Sequence, residues 1–120
     1  MRIRDEMLRV FADHQDRAFE QRVVDAMQRD FPEAAEMDGA ELLYAVRTQV
    51  RNASKYGLII EGDVASYAVS AFLLGEDFDV KFPAAQQRLR SPSYTAEEKS
   101  DWLRRWTSEL FRVLLETPER

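Results

Sequence analysis

The sequence predicts an all-α protein: a single-domain bundle of four to six helices around a central uncharged helix at about residues 62–74. Three observations carry that prediction. Apolar residues recur at helical spacing along most of the chain, and no alternating strand pattern of useful length interrupts them. Two capping patterns, Asp38-Gly39-Ala40-Glu41 and Thr95-Ala96-Glu97-Glu98, each stand just before an apolar-periodic run. The run from Val64 to Gly75 carries no charge, in a chain where 32% of residues are charged. A helix that is apolar or small on every face has no side to offer to water and needs protein around it.

From Asp5 to Phe31 the helical spacing is held by Met7, Val10, Phe11, Ala18, Phe19, Val23, Ala26 and Met27. Phe31-Pro32 ends it, because the residue before proline avoids the helical region. The polar cluster Asp13-His14-Gln15-Asp16 leaves open whether residues 5–31 form one helix or two. After a short acidic connection, the Asp38 box opens a helix that buries Leu42, Leu43, Val46 and Val50 and ends at Gly57, a left-handed stop. Leu58 to Ile60 is expected to pack down as an apolar connection. The uncharged helix follows and Gly75 stops it. Pro83 at a first helical position starts a short helix through Leu89. Ser91-Pro92-Ser93 turns the chain into the Thr95 box. The last helix then runs to about Leu115, burying Trp102, Leu103, Trp106, Leu110, Val113 and Leu114, with Pro118 beyond its end.

Composition narrows the function classes. A chain of 120 residues with 45% hydrophobic content is expected to be one domain, 1–120, with a core of its own. The 17 basic and 22 acidic side chains give a formal charge of −5, which argues against nucleic acid as a partner, since phosphate binding needs a clustered positive field. The absence of cysteine removes disulfides, thiolate nucleophiles and cysteine metal sites. Asp5 and Glu6 follow Arg2 and Arg4 where an export signal needs an apolar run. The longest uncharged stretch falls well short of the roughly 20 residues that span a bilayer. A cytoplasmic protein without membrane insertion is expected.

No residue pattern points to catalysis, a cofactor or a metal, and the chain reads as a non-enzyme. His14, the only histidine, sits among polar neighbours with no nucleophile or metal partner at a useful spacing. The segment Gly75-Glu76-Asp77-Phe78-Asp79 lacks the alternating oxygen ligands and closing Glu of a calcium loop. It reads as a solvated loop with Phe78 anchored in the core. Glu97, Glu98 and Asp101 occupy a helix's first turn, where carboxylates complement the helix dipole. Ser66, Tyr67 and Ser70 lie on the uncharged helix and need hydrogen-bond partners if buried; Asn52, Gln49 or a loop carbonyl is within Tyr67's expected reach.

Charge is the remaining signal. Arg47, Arg51 and Lys55 recur every fourth residue and form one basic stripe, open to an anion, to a partner surface, or to internal pairing with the acidic segments Glu61–Asp63 and Glu76–Asp79. Arg104, Arg105 and Arg112 pose the same alternatives. The candidate partner-binding residues are Arg47, Arg51, Lys55, Glu76, Asp77 and Asp79. Trp102 and Trp106, an i, i+4 pair, would supply an interface anchor if either proved exposed.

The order Tyr56-Gly57-Leu58, Asp63-Val64, Tyr67, Phe72-Leu73-Leu74-Gly75, Asp77-Phe78-Asp79 resembles small all-helical proteins of unassigned function encoded in bacterial type VI secretion effector loci. Phe19-Glu20 and Phe31-Pro32 are similar to that family's first long helix. Val80-Lys81-Phe82-Pro83 departs from the bulky residue that often follows the family's acidic loop. The resemblance implies genomic company with effectors, and thus a protein partner from a neighbouring gene. Two functions fit: a chaperone or adaptor for the effector, or a cytosolic immunity protein that neutralises a toxin by direct binding. An enzyme working through carboxylates, or simple self-association through an apolar helix face, are the other classes.

Overall fold

A computed structural model describes residues 17–116, in which seven helical segments and no strand occur. The first, α1, is helical over residues 17–30. It is followed by α2 (Pro32–Ala35), α3 (Gly39–Ser54), α4 (Glu61–Leu74), α5 (Phe78–Lys81), α6 (Pro83–Arg90) and α7 (Ala96–Glu116). Two of these, α2 and α5, are single turns of four residues, which leaves five longer helices. The fold is all-α, as the spacing predicts. His14, the choice between one helix and two over residues 5–31, and Pro118 lie outside the described residues, as does the side chain of Leu114. No helix among the described residues is long and apolar enough to cross a membrane.

The chain divides into two compact units, with the division inside α3 between Arg47 and Thr48. In the first unit, Phe19, Val23, Val24 and Met27 form the buried stripe of α1. The helix ends at Phe31, whose φ of −121° and ψ of 118° are the extended values a following proline enforces. Pro32 then opens α2, where the missing N–H costs nothing. Leu42 and Val46 are the buried residues of the first half of α3, while Leu43 is half-buried. Asp38 opens α3 through its backbone alone, its carbonyl accepting Leu42 N–H at 3.0 Å; the reciprocal side-chain bonds expected of Asp38 and Glu41 do not form.

The second unit is built on α4 and α7, which pack along each other. No residue of the uncharged run from Val64 to Gly75 is exposed, which is the burial its lack of charge demands. Small side chains permit close approach: Ala68, Ser70 and Ala71 of α4 are buried, as are Ser100, Leu103 and Thr107 of α7. Ser70 and Thr107 hydroxyls share a hydrogen bond of 2.8 Å. This seam corrects the expected burial of α7. Leu103 is fully buried, but Trp102, Trp106 and Leu110 are half-buried and Val113 is 44% exposed. The narrow, alanine- and serine-lined surface of α4 admits Ser, Leu and Thr where indole rings are too large.

Local signals in this unit act as their chemistry predicts. Gly57 has a φ of 83°, and Leu58 N–H and Gly57 N–H bond to Ala53 O and Ser54 O at 3.1 Å each. That pair of bonds is the Schellman ending, completed by burial of both Ala53 and Leu58. Gly75 closes α4 at a φ of 114°, and Phe78, fully buried, anchors α5 as expected. At the start of α7, Thr95 Oγ1 accepts Glu98 N–H at 3.1 Å and Glu98 Oε1 accepts Thr95 N–H at 2.9 Å, a complete capping box.

Candidate functional site

The basic stripe of α3 does not act as one surface. Arg47 Nε donates to Glu20 Oε1 at 3.0 Å, and that carboxylate is almost wholly buried. Arg47 is therefore committed to an internal pair, with α1 rather than with either acidic segment. Arg51 is exposed and its guanidinium makes no ion pair among the described residues. Lys55, one turn on, is exposed and lines a cleft.

That cleft has a volume of about 350 Å³ and is lined by Lys55, Tyr56, Leu89, Arg90 and Lys99. Its walls come from three places: the turn after α3, the last turn of α6 and the first turns of α7. Lys99 is only 8% exposed, and its Nζ donates to the Tyr56 carbonyl at 3.2 Å. Arg90 is exposed at the rim. Three cationic side chains thus meet, with no carboxylate in the lining, in a chain of net charge −5. Such a concave, one-signed surface focuses the local field and attracts anions.

Behind the cleft, Tyr56 joins a cluster of buried rings. Its hydroxyl donates to Asp79 Oδ2 at 2.5 Å, and its ring lies 6.0 Å from that of Tyr67, which in turn lies 5.0 Å from Phe78. Loss of hydration, together with the Asp79 carboxylate, pushes the Tyr56 phenol up to about 12, against a smaller opposing pull from Arg90. Burial pushes Tyr67 higher still, reinforced by the charge of Asp79. The expected partners of Tyr67, Asn52 and Gln49, bond instead to each other at 3.2 Å, and the Tyr67 hydroxyl is left without a hydrogen bond. Asp63, in the first of the two acidic segments, is 8% exposed and its Oδ2 is also unpaired. Its place in the first turn of α4 gives it the favourable end of the helix dipole.

The acidic candidates separate in the same way as the basic ones. Glu76 and Asp77 are exposed in the turn after Gly75, whereas Asp79 is half-buried and holds Tyr56. On α7, Arg104 pairs with Asp101 and Arg112 with Glu109. Trp102 and Trp106 stack with centroids 4.9 Å apart, Phe82 meets Trp106 edge-on, and the Arg88 guanidinium lies between the faces of Tyr94 and Trp102. The tryptophans are therefore a structural ladder. The most exposed aliphatic side chains lie elsewhere. Ile59 and Ile60 are 77% and 65% exposed, so of the connection expected to pack down only Leu58 does.

Arg90, Lys99 and the two isoleucines were not singled out by sequence reasoning. Lys99 stands beside Glu97, Glu98 and Asp101 and reads as a solvated helix face; its burial follows from the register in which α7 meets α4. Among the described residues no group of three or more His, Asp or Glu is positioned to hold a metal ion. Comparison with protein-family models, with curated proteins and with solved structures finds no match for the chain.

Proposed function

We propose that this chain is a non-enzymatic protein-binding accessory, a chaperone or adaptor for a bacterial secreted effector. The observation that carries the reading is the exposed pair Ile59–Ile60. Two consecutive large aliphatic side chains face water while the residue before them, Leu58, is fixed in the core by the glycine-ended turn of α3. Apolar groups held outward on a fixed backbone gain most when a partner covers them, because little entropy remains to be lost. Exposed Arg51 and Lys55 lie on the preceding turns and Glu61 follows directly, a charged surround of the kind that rims protein interfaces. The effector context comes from the resemblance of the Tyr56–Asp79 block.

A second reading, an immunity protein that blocks a toxin's basic cleft, is favoured by Glu76 and Asp77, which project together from the Gly75 turn. Co-expression of the tagged chain with its whole gene neighbourhood tests both. A neighbouring gene product should co-purify, and an Ile59→Ser/Ile60→Ser variant should recover much less of it. Higher solubility of that product marks a chaperone; rescue of cells from its toxicity marks an immunity protein. Recovery of the chain alone would contradict both.

A further inference from the structure

We infer that the cleft between Lys55, Tyr56, Leu89, Arg90 and Lys99 is a binding site for a small organic phosphate, a phosphomonoester carried on an apolar or aromatic group. This goes beyond the protein-binding reading and does not depend on it. The first ground is unspent charge. Arg29, Arg47, Arg104 and Arg112 each have a carboxylate in ion-pair contact, but among the described residues none of Lys55, Arg90 and Lys99 does. They face one cavity instead.

The second ground is Lys99. Its side chain is drawn out of water to 8% exposure and makes one hydrogen bond, to the Tyr56 carbonyl. A lysine ammonium carries three donors, so two have no acceptor among the described residues. A cation withdrawn from water is stabilised by an anion brought to it. The third ground is size and lining. At about 350 Å³ the cleft is too roomy for a bare oxyanion, and the half-buried Tyr56 ring, backed by the fully buried Leu89, offers an apolar wall for the remainder of a ligand. The Tyr56 hydroxyl is occupied by Asp79, so the ring contributes as a wall and the three cations contribute the donors.

Charge count decides between a carboxylate and a phosphate. A carboxylate brings one negative charge to three cations, whereas a phosphomonoester brings about −1.5 to −2 at neutral pH and three acceptor oxygens. Lysine suits that role as a compact point charge, and arginine adds a planar fork of donors.

The test is a titration of the full-length chain with phenyl phosphate, inorganic phosphate and benzoate, followed by amide chemical shifts. Saturable shifts are expected at Tyr56, Arg90 and Lys99, with phenyl phosphate binding tightest. Lys99→Gln and Arg90→Gln should each weaken it about tenfold, the loss of one charge-assisted hydrogen bond. Lys81→Gln, at an exposed position of α5 outside the cleft lining, should bind as the parent does. Arg90 lies at the rim, so its variant reports on binding even if Lys99→Gln disturbs the fold. Absence of saturation, or parental affinity in Arg90→Gln, would overturn the site. Benzoate binding as tightly as phenyl phosphate would overturn its assignment to phosphate.

Discussion

Removing the Arg47 side chain should expose how heavily the first unit leans on one ion pair. Its Nε lies 3.0 Å from Glu20 Oε1, with the glutamate side chain 6% exposed and the arginine 42% exposed. At an effective dielectric near 20, the attraction at this separation is about 5 kcal/mol. Desolvation of both groups offsets much of it, and the exposed part of Arg47 lets water screen the pair. The measurable effect is the cost of leaving Glu20 buried without its partner. Complete burial would cost about 3–5 kcal/mol, and half-exposure of the arginine reduces this to about 2–3 kcal/mol. Arg47→Met should lower stability by that amount in urea denaturation followed by far-UV circular dichroism. The double variant Glu20→Leu/Arg47→Met should return to within about 1 kcal/mol of the parent, since two apolar groups replace two charges. If Arg47→Met stays within about 0.5 kcal/mol of the parent, and the double-mutant cycle shows no coupling, the pair behaves as a surface contact. Arg47 would then be as free for a partner as Arg51, and the division of the basic stripe would be wrong.

Three further outcomes follow from local geometry. Gly57→Ala should destabilise the chain by about 1–2 kcal/mol in thermal unfolding, because alanine is strained at a φ of 83° while its methyl group meets no atom within 4 Å. Tyr67→Phe should be neutral or stabilising by up to about 1 kcal/mol, since the hydroxyl it removes is buried without a well-formed hydrogen bond; a clear loss would show that it bonds the nearby Asp79 carboxylate. Tyr56 has a phenol raised from 10.0 to about 12, so its contribution is fully present below pH 10.0 and is lost as pH rises through about 12. Alkaline unfolding in that window should therefore be less steep in Tyr56→Phe, and an unchanged profile would remove Tyr56 as its source.

Much of the helical frame was legible because its determinants are local. Thr95 and Glu98 close a box within one turn, Pro83 occupies a first helical position, and Gly57 and Gly75 take positive φ where helices stop. The uncharged run of α4 announced its burial in the same way. What the sequence could not yield is register between helices. The two tryptophans made the apolar face of α7 look obvious, yet the face against α4 is Ser100, Leu103 and Thr107, because close approach favours small groups. That same rotation draws in Lys99 and leaves Trp102 and Trp106 at the edge, stacked with Phe82 and Arg88. The cleft was legible only at Lys55, since its other cations come from helices 35 and 44 residues farther along the chain, at Arg90 and Lys99. Ile59 and Ile60 were misread for a related reason: composition marks them as core, and only the path of the chain after Gly57 turns them outward.

The claim that Ile59 and Ile60 meet a protein partner is tested most directly by photocrosslinking in cells that express the whole gene neighbourhood. A photoreactive phenylalanine analogue at Ile60 should yield a covalent adduct with a neighbouring gene product, while the same group at exposed Glu109 on α7 should not. No adduct from Ile60, or equal adducts from both positions, would contradict a binding surface there.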